Sequence, residues 1–95
     1  MSESAKDLSY TSHVGEDLRE ADLSGGDLRR AIFDGADLEG ANLSGCDLRD
    51  ASLKRANLMK AALDGADLRG AKMIKARLGF SNLQGARLNL SLIHI

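Results

Sequence analysis

An apolar residue recurs at every fifth position from Leu18 to Ile93, and this period limits the possible folds more than any other feature of the chain. Two residues before each apolar residue the side chain is small, most often Ala, with Glu16 as the one exception. Such an uninterrupted period indicates a repeat protein built from one short structural unit. The sixteen apolar residues predicted to form its core are Leu18, Leu23, Leu28, Phe33, Leu38, Leu43, Leu48, Leu53, Leu58, Leu63, Leu68, Met73, Leu78, Leu83, Leu88 and Ile93.

A period of five fits neither regular secondary structure. In an α-helix each residue turns by about 100°, so residues five apart form no single stripe. On a strand an odd period would send alternate leucines to opposite faces. A short extended piece followed by a turn satisfies the period, because the turn resets the register once per repeat. Gly often stands two residues after the apolar one, as at Gly25 and Gly45, where its positive φ suits a type II turn.

Units such as Ala21-Asp22-Leu23-Ser24-Gly25 and Ala66-Asp67-Leu68-Arg69-Gly70 resemble the A(D/N)LXX repeat of the pentapeptide-repeat family. The resemblance covers residues 16–95 and implies an all-β fold, a right-handed quadrilateral parallel β-helix of about four coils with four pentapeptides in each. A second period, of twenty residues, supports this expectation: Gly25, Gly45, Gly65 and Gly85.

Residues 1–15 follow the pattern poorly and are predicted to form an irregular N-terminal cap. Leu8 is in register, but His13 occupies the next inner position. Whether Val14 replaces His13 in the core through a one-residue bulge is left open by the sequence.

The formal net charge of -1 hides an asymmetry along the chain. Residues 1–50 contain 5 Lys or Arg and 12 Asp or Glu, whereas residues 51–95 contain 8 and 2. The whole-chain balance lacks a strong basic footprint, so we expect no direct nucleic-acid binding. No apolar run is long enough to span a membrane, and the polar start lacks a secretory leader. These features predict a soluble cytoplasmic protein without membrane association.

Two outward surfaces are predicted from the twenty-residue period. One carries a column of aspartates beside a column of arginines, which predicts either a self-compensated ion-pair ladder or an arginine surface for a partner's carboxylate or phosphate. The other mixes basic residues with outward apolar ones near the C-terminal end. The ladder residues are Asp27, Asp47, Asp67, Arg29, Arg49 and Arg69, and the candidate interface residues are Ile74, Phe80, Leu90, Leu92 and Ile95.

Three interpretations of the candidate interface stay open. The apolar residues pack under the chain's own tail, form a homodimer through the C-terminal end, or bind a different protein. The charge asymmetry adds a head-to-tail arrangement of two copies as another form of self-association.

No catalytic, metal or cofactor site is predicted. His13 and His94 lie near opposite ends of the expected stack, and Cys46 falls at an inner position where an inert buried thiol is expected. The sequence therefore predicts a non-enzymatic structural or protein–protein interaction module whose partner it does not identify. The family resemblance implies one alternative, a DNA mimic that binds DNA gyrase or topoisomerase and confers quinolone resistance. The short stack, the basic second half and the lack of an inserted loop weigh against it.

Overall fold

The computed structural model describes residues 6–88 and shows parallel pairing between residues that lie twenty positions apart. The pairs fall into four columns, which define four flat faces of a square coil. We name them face A (positions 7, 27, 47, 67 and 87), face B (12, 32, 52 and 72), face C (17, 37, 57 and 77) and face D (22, 42, 62 and 82). The chain thus forms a right-handed quadrilateral parallel β-helix of about four coils, as predicted.

Each face contributes very short extended segments. Two are long enough to be strands, β1 at Asp67–Leu68 and β2 at Arg87–Leu88, and they pair in parallel with Asp67 opposite Arg87. The remaining pairings are single bridges, and residues 6–88 contain no helix. Backbone hydrogen bonds of about 2.7–3.1 Å connect each coil to the next, so every coil is held by its neighbours.

Every corner is a tight turn closed by one hydrogen bond. At one of them the Ala31 N–H donates to the Leu28 carbonyl at 3.1 Å, and Arg30 between them has φ of 58°. A positive φ recurs at every fifth residue from Tyr10 to Gly85. Gly supplies it at eight corners, as expected, but eight other corners use residues with side chains: Tyr10, Glu20, Arg30, Asp50, Arg55, Lys60, Lys75 and Phe80. The backbone hydrogen bonds on both sides of each corner outweigh the cost of about 1–2 kcal/mol that a left-handed conformation imposes on such a residue.

The core is a continuous column of leucines and alanines inside the square. Leu28, Leu48 and Leu68 stack in successive coils with no exposed side-chain surface. Burial weakens at the ends, where Leu18 is partly buried and Leu88 is 39% exposed. Leu88 was predicted as a core residue, but no described coil lies over it. Of the predicted core, Ile93 lies outside the described residues.

The expectation of an irregular cap at residues 1–15 is corrected for residues 6–15. Asp7 pairs with Asp27, and position 12 pairs with position 32, in the same register as all later coils. His13 keeps the inner position, while Val14 points outward and is 64% exposed. The backbone maintains the coil here because its hydrogen bonds do not depend on the consensus side chains. Residues 1–5 lie outside the described part of the chain.

Candidate interaction surfaces

Face A carries a regular ladder of ion pairs. Within one coil, Arg29 donates two hydrogen bonds to Asp27. Its Nε donates to Oδ1 at 2.9 Å, and a terminal guanidinium nitrogen donates to Oδ2 at 2.7 Å. The next two coils repeat this geometry with Arg49 on Asp47 and Arg69 on Asp67. The spacing of two residues places both side chains on one side of the extended segment, so the fork of the guanidinium meets the carboxylate directly.

The ladder also connects successive coils. Arg29 Nε lies 3.9 Å from Asp47 Oδ2, and Arg49 Nε lies 3.9 Å from Asp67 Oδ2. Arg29 and Arg49 therefore each lie between two aspartates that would otherwise repel one another, whereas Arg69 pairs with Asp67 alone among residues 6–88. Hydrogen bonds from Arg29 lower the pKa of Asp27 to about 2, and those from Arg49 lower the pKa of Asp47.

Face C begins a second ladder that does not continue. Arg19 binds Asp17 through the same two contacts and lies 3.8 Å from Asp37, and these bonds hold the pKa of Asp17 at about 2. Above Asp37 the column changes to Asn57 and then Arg77, so the pairing stops. The arginines of both ladders have carboxylate partners within the chain, and an incoming anion would have to displace those carboxylates.

The C-terminal half of faces B and C presents a different surface. Its cations form no ion pair within 4 Å of any carboxylate among residues 6–88. Two large apolar side chains lie among them, Ile74 at 44% exposure and Phe80 at 88%. We call this set the basic–apolar surface, and it consists of Lys54, Arg55, Lys60, Lys72, Ile74, Lys75, Arg77 and Phe80.

Part of this surface is concave. A groove of about 470 Å³ lies at the corner between faces B and C, and we call it the corner groove. Gly35 lines it, and a Cβ added there would meet no other atom within 4 Å, so the corner is open around this residue. The groove is lined by Asp34, Gly35, Lys54, Arg55, Ile74 and Lys75.

Of the predicted interface residues, Ile74 and Phe80 lie on the basic–apolar surface, on different corners. The other three, Leu90, Leu92 and Ile95, lie outside the described residues, as does His94. The structure therefore does not test the predicted homodimer contact at the C-terminal end.

A polar cluster in the first coil is a feature that sequence reasoning missed. His13 Nδ1 lies 2.7 Å from Glu16 Oε2, and His13 Nε2 lies 2.7 Å from the Thr11 hydroxyl. Thr11 in turn donates its proton to the carbonyl of Leu8. The order of threonine, histidine and carboxylate resembles a hydrolytic triad. The Leu8 carbonyl competes with the imidazole for the Thr11 hydroxyl proton, and the cluster satisfies its own polar groups within the first coil. The signal in the sequence was Glu16, the one large residue at a small position.

Cys46 is buried, as its inner position predicted. Its thiol donates to the carbonyl of Leu23 at 2.9 Å, and burial raises its pKa to about 11. A thiol in this state is neither nucleophilic nor available as a metal ligand. Among residues 6–88 no three His, Cys, Asp or Glu side chains are grouped to hold a metal ion. Over the same residues no helix is long and apolar enough to cross a membrane.

The four-faced coil, its leucine column and its surface ladders define a solenoid repeat protein. The family of pentapeptide repeats matches residues 17–50 and 51–89 with 8 copies, so the chain belongs to the pentapeptide-repeat family.

Solved structures support the same assignment. The pentapeptide-repeat protein Rfr23 of the cyanobacterium Cyanothece 51142 is 31% identical with a TM-score of 0.92, over 96% of this chain and 62% of Rfr23. HetL of Nostoc sp. strain PCC 7120 is 39% identical with a TM-score of 0.82, over 85% of this chain and 38% of HetL. The chain thus spans less than two thirds of either protein.

The quinolone-resistance protein QnrB1 is far less similar, with 19% identity and a TM-score of 0.32. A search among curated protein sequences found no match.

Proposed function

We propose that this chain is a non-enzymatic protein–protein interaction module that works in the cytoplasm and binds through its basic–apolar surface. The observation that carries the proposal is the contrast between two surfaces of one coil stack. On face A every arginine of the ladder is neutralised by aspartates, whereas the basic–apolar surface leaves its cations without carboxylate partners in residues 6–88. Exposed apolar side chains beside unpaired charge are typical of a surface that a partner covers.

The chemistry of the described groups supports a binding role over catalysis. The ladder carboxylates of face A are partly exposed and have lowered pKa values, which is the opposite of what a general acid needs. The thiol of Cys46 is buried and its pKa is raised to about 11, so it is not a nucleophile at neutral pH. A single buried thiol without a disulfide suits a reducing compartment, and this supports the cytoplasm.

The similarity to HetL, a protein involved in heterocyst differentiation regulation, favours a regulatory role for this chain. The gyrase-mimic alternative has weaker support. It requires an extended acidic surface, but in the acidic half several aspartates are already bound by arginines, among them Asp17 and Asp27. The basic second half of the chain would also be repelled by a groove that binds DNA, because such a groove is itself positively charged.

The test is affinity capture with the purified chain from an extract of its host, followed by mass spectrometry. A specific protein bound in stoichiometric amount supports the proposal. Capture of nothing above an unrelated bait, together with a measured catalytic turnover by the chain, would overturn it. A supercoiling assay with DNA gyrase runs alongside, and inhibition there would favour the alternative.

A further inference from the structure

The corner groove concentrates positive charge with little internal compensation. Arg55 and Lys75 occupy the same corner in successive coils, and the Arg55 N–H donates to the Ile74 carbonyl at 2.9 Å, so the two cations project from adjacent levels. Adjacent coils are about 4.8 Å apart, a distance at which like charges repel. On face A the same stacking is relieved by aspartates between the arginines. At the corner groove neither Arg55 nor Lys75 has a carboxylate of residues 6–88 within 4 Å.

Asp34 is the one carboxylate that lines the groove, and it is hydrogen-bonded to groups other than the side chains of the three cations. It accepts one hydrogen bond from the Ser52 hydroxyl and another from the Lys54 backbone N–H at 3.2 Å. It forms no ion pair within 4 Å with a cation of residues 6–88. The charge of the groove therefore remains positive, with Lys54, Arg55 and Lys75 against Asp34.

The groove also has an apolar component. Ile74 directly precedes Lys75 in the coil next to Lys54 and Arg55, and its aliphatic side chain lines the groove at 44% exposure. A ligand that complements this surface needs negative charges next to an apolar group. An extended peptide with acidic residues around a leucine or similar side chain meets both needs, whereas a nucleic acid supplies charge without an aliphatic group.

We propose that the corner groove binds an acidic peptide segment of a partner protein, with Arg55 and Lys75 pairing its carboxylates and Ile74 contacting one apolar side chain. This inference rests on the proposed function, because it names the chemistry of the partner. Gly35 contributes no side chain to the groove, which leaves room for the peptide across the two coils.

The experiment is an NMR titration of the labelled chain with a short synthetic peptide of aspartate and glutamate residues around one leucine. An isosteric peptide of asparagine and glutamine and a short DNA duplex serve as comparison ligands. We expect the acidic peptide to shift amide signals of residues 34–35, 54–55 and 74–75 and to leave face A at residues 27–29 and 47–49 unchanged. Binding should weaken as salt is raised.

The test variant is R55E/K75E, and R30E is the matched control, since Arg30 is a left-handed corner residue like Arg55 but lies at another corner. R55E/K75E should weaken peptide binding by at least about tenfold, and R30E by no more than about twofold. Should R55E/K75E fail to fold, K54Q/K75Q reduces the same charge more gently. I74A should weaken binding of the leucine peptide but not of an alanine version.

Several results would overturn the inference. They are equal binding of the neutral peptide, preferential binding of the DNA duplex, shifts on face A, or affinity unaffected by R55E/K75E. If sedimentation shows that the chain self-associates as its concentration rises, and R55E/K75E abolishes that association, the groove binds a second copy of the chain and not an acidic peptide. If host-extract capture persists in R55E/K75E while the peptide does not bind, the interaction module stands and the acidic-groove inference fails.

Discussion

The imidazole of His13 lies nearly parallel to the ring of Phe33, with 5.1 Å between the ring centroids and 14° between their planes. The two residues occupy the same inner position in successive coils. Phe33 therefore provides the surface on which the first described coil packs. The hydrogen bonds of His13 to Thr11 and Glu16 hold the imidazole in place against that surface.

Phe33→Leu should loosen the first coil selectively. Leucine is the residue one coil further on, at Leu53, so the core can accept it, but the stacking surface for His13 disappears. Aromatic stacking is worth about 0.5–1.5 kcal/mol beyond burial. We expect local opening of residues 6–15 to become easier by about 1 kcal/mol, measured by hydrogen exchange at the His13 amide, which donates to Ile32.

Leu63→Met, a volume-conserving change in a distant coil, is the control for Phe33→Leu and should leave that amide protected. Unchanged exchange in Phe33→Leu would show that the stacking does not hold the coil.

The path of the backbone follows from sequence because one residue type repeats at a fixed place. A buried leucine every five positions leaves the chain a single way to hide all of them, and Leu28 and Leu48 lie one above the other as a result. The start of the coil was mispredicted because His13 and Glu16 depart from the repeat letters. Their backbone still closes the turn, with Glu16 N–H donating to the His13 carbonyl at 3.2 Å. Such backbone hydrogen bonds form with many different side chains, so the departures from the repeat consensus did not reveal that the coil continues here.

The surface was predictable in part. The two-residue spacing places Arg29 beside Asp27 and the twenty-residue period places Asp47 in the next coil, but the 3.9 Å between Arg29 Nε and Asp47 Oδ2 is seen only in the structure. The positive charge of the corner groove depends on the Asp34 carboxylate bonding to Ser52 and to the Lys54 backbone instead of to a cation. Spacing alone does not encode these bonds.

Gly45→Ala should destabilise the stack through the backbone alone. Gly45 has φ of 68°, and an added Cβ would meet nothing within 4 Å, so packing does not change. A left-handed conformation costs an alanine about 1–2 kcal/mol, partly offset by the lower entropy of the unfolded chain. We expect a loss of about 1 kcal/mol in denaturant unfolding. Gly45→Asn should lose less, because asparagine tolerates this conformation, and equal losses for both would contradict the explanation.

Leu48→Asp should abolish cooperative folding. Leu48 has no exposed surface, and a carboxylate there would find neither water nor a counter-charge within the leucine column. The milder Leu48→Ala should cost about 2–5 kcal/mol. Thermal melting by circular dichroism measures both. Phe80→Asp, at a corner where the side chain is 88% exposed, is the matched control and should melt close to the parent. A sharp, unshifted transition in Leu48→Asp would rule out the stacked core.

The ladders should make stability fall in acid. Hydrogen bonds from Arg19 and Arg29 hold the pKa values of Asp17 and Asp27 at about 2 in the folded chain, below the unfolded value of about 3.9. In this range the unfolded chain binds more protons, so the stabilisation is complete above about pH 4 and is lost as the pH falls toward 2. The melting temperature should decline over that interval, and less steeply in 1 M salt, where exposed pairs are screened.

The double variant Asp17→Asn, Asp27→Asn should flatten the acid dependence of melting. Glu20→Gln removes a carboxylate that has no ion pair within residues 6–88, and this control should keep the parental slope. The same slope in all three proteins would show that the ladder does not couple to folding.

Cys46 should report on opening of the stack. With its thiol buried, its pKa raised to about 11 and its proton donated to Leu23, it offers almost no thiolate at neutral pH. We expect slow labelling by a thiol reagent in native buffer and fast labelling in denaturant, with Leu48→Ala accelerating the native rate because it favours opening. A variant with Cys46→Ala and Ser24→Cys, which moves the thiol to exposed face D, should react at the speed of a free thiol in either state. Rapid labelling of the parent while its circular dichroism stays native would mean that the coil around Cys46 opens without global unfolding, contrary to a stack in which every coil depends on its neighbours.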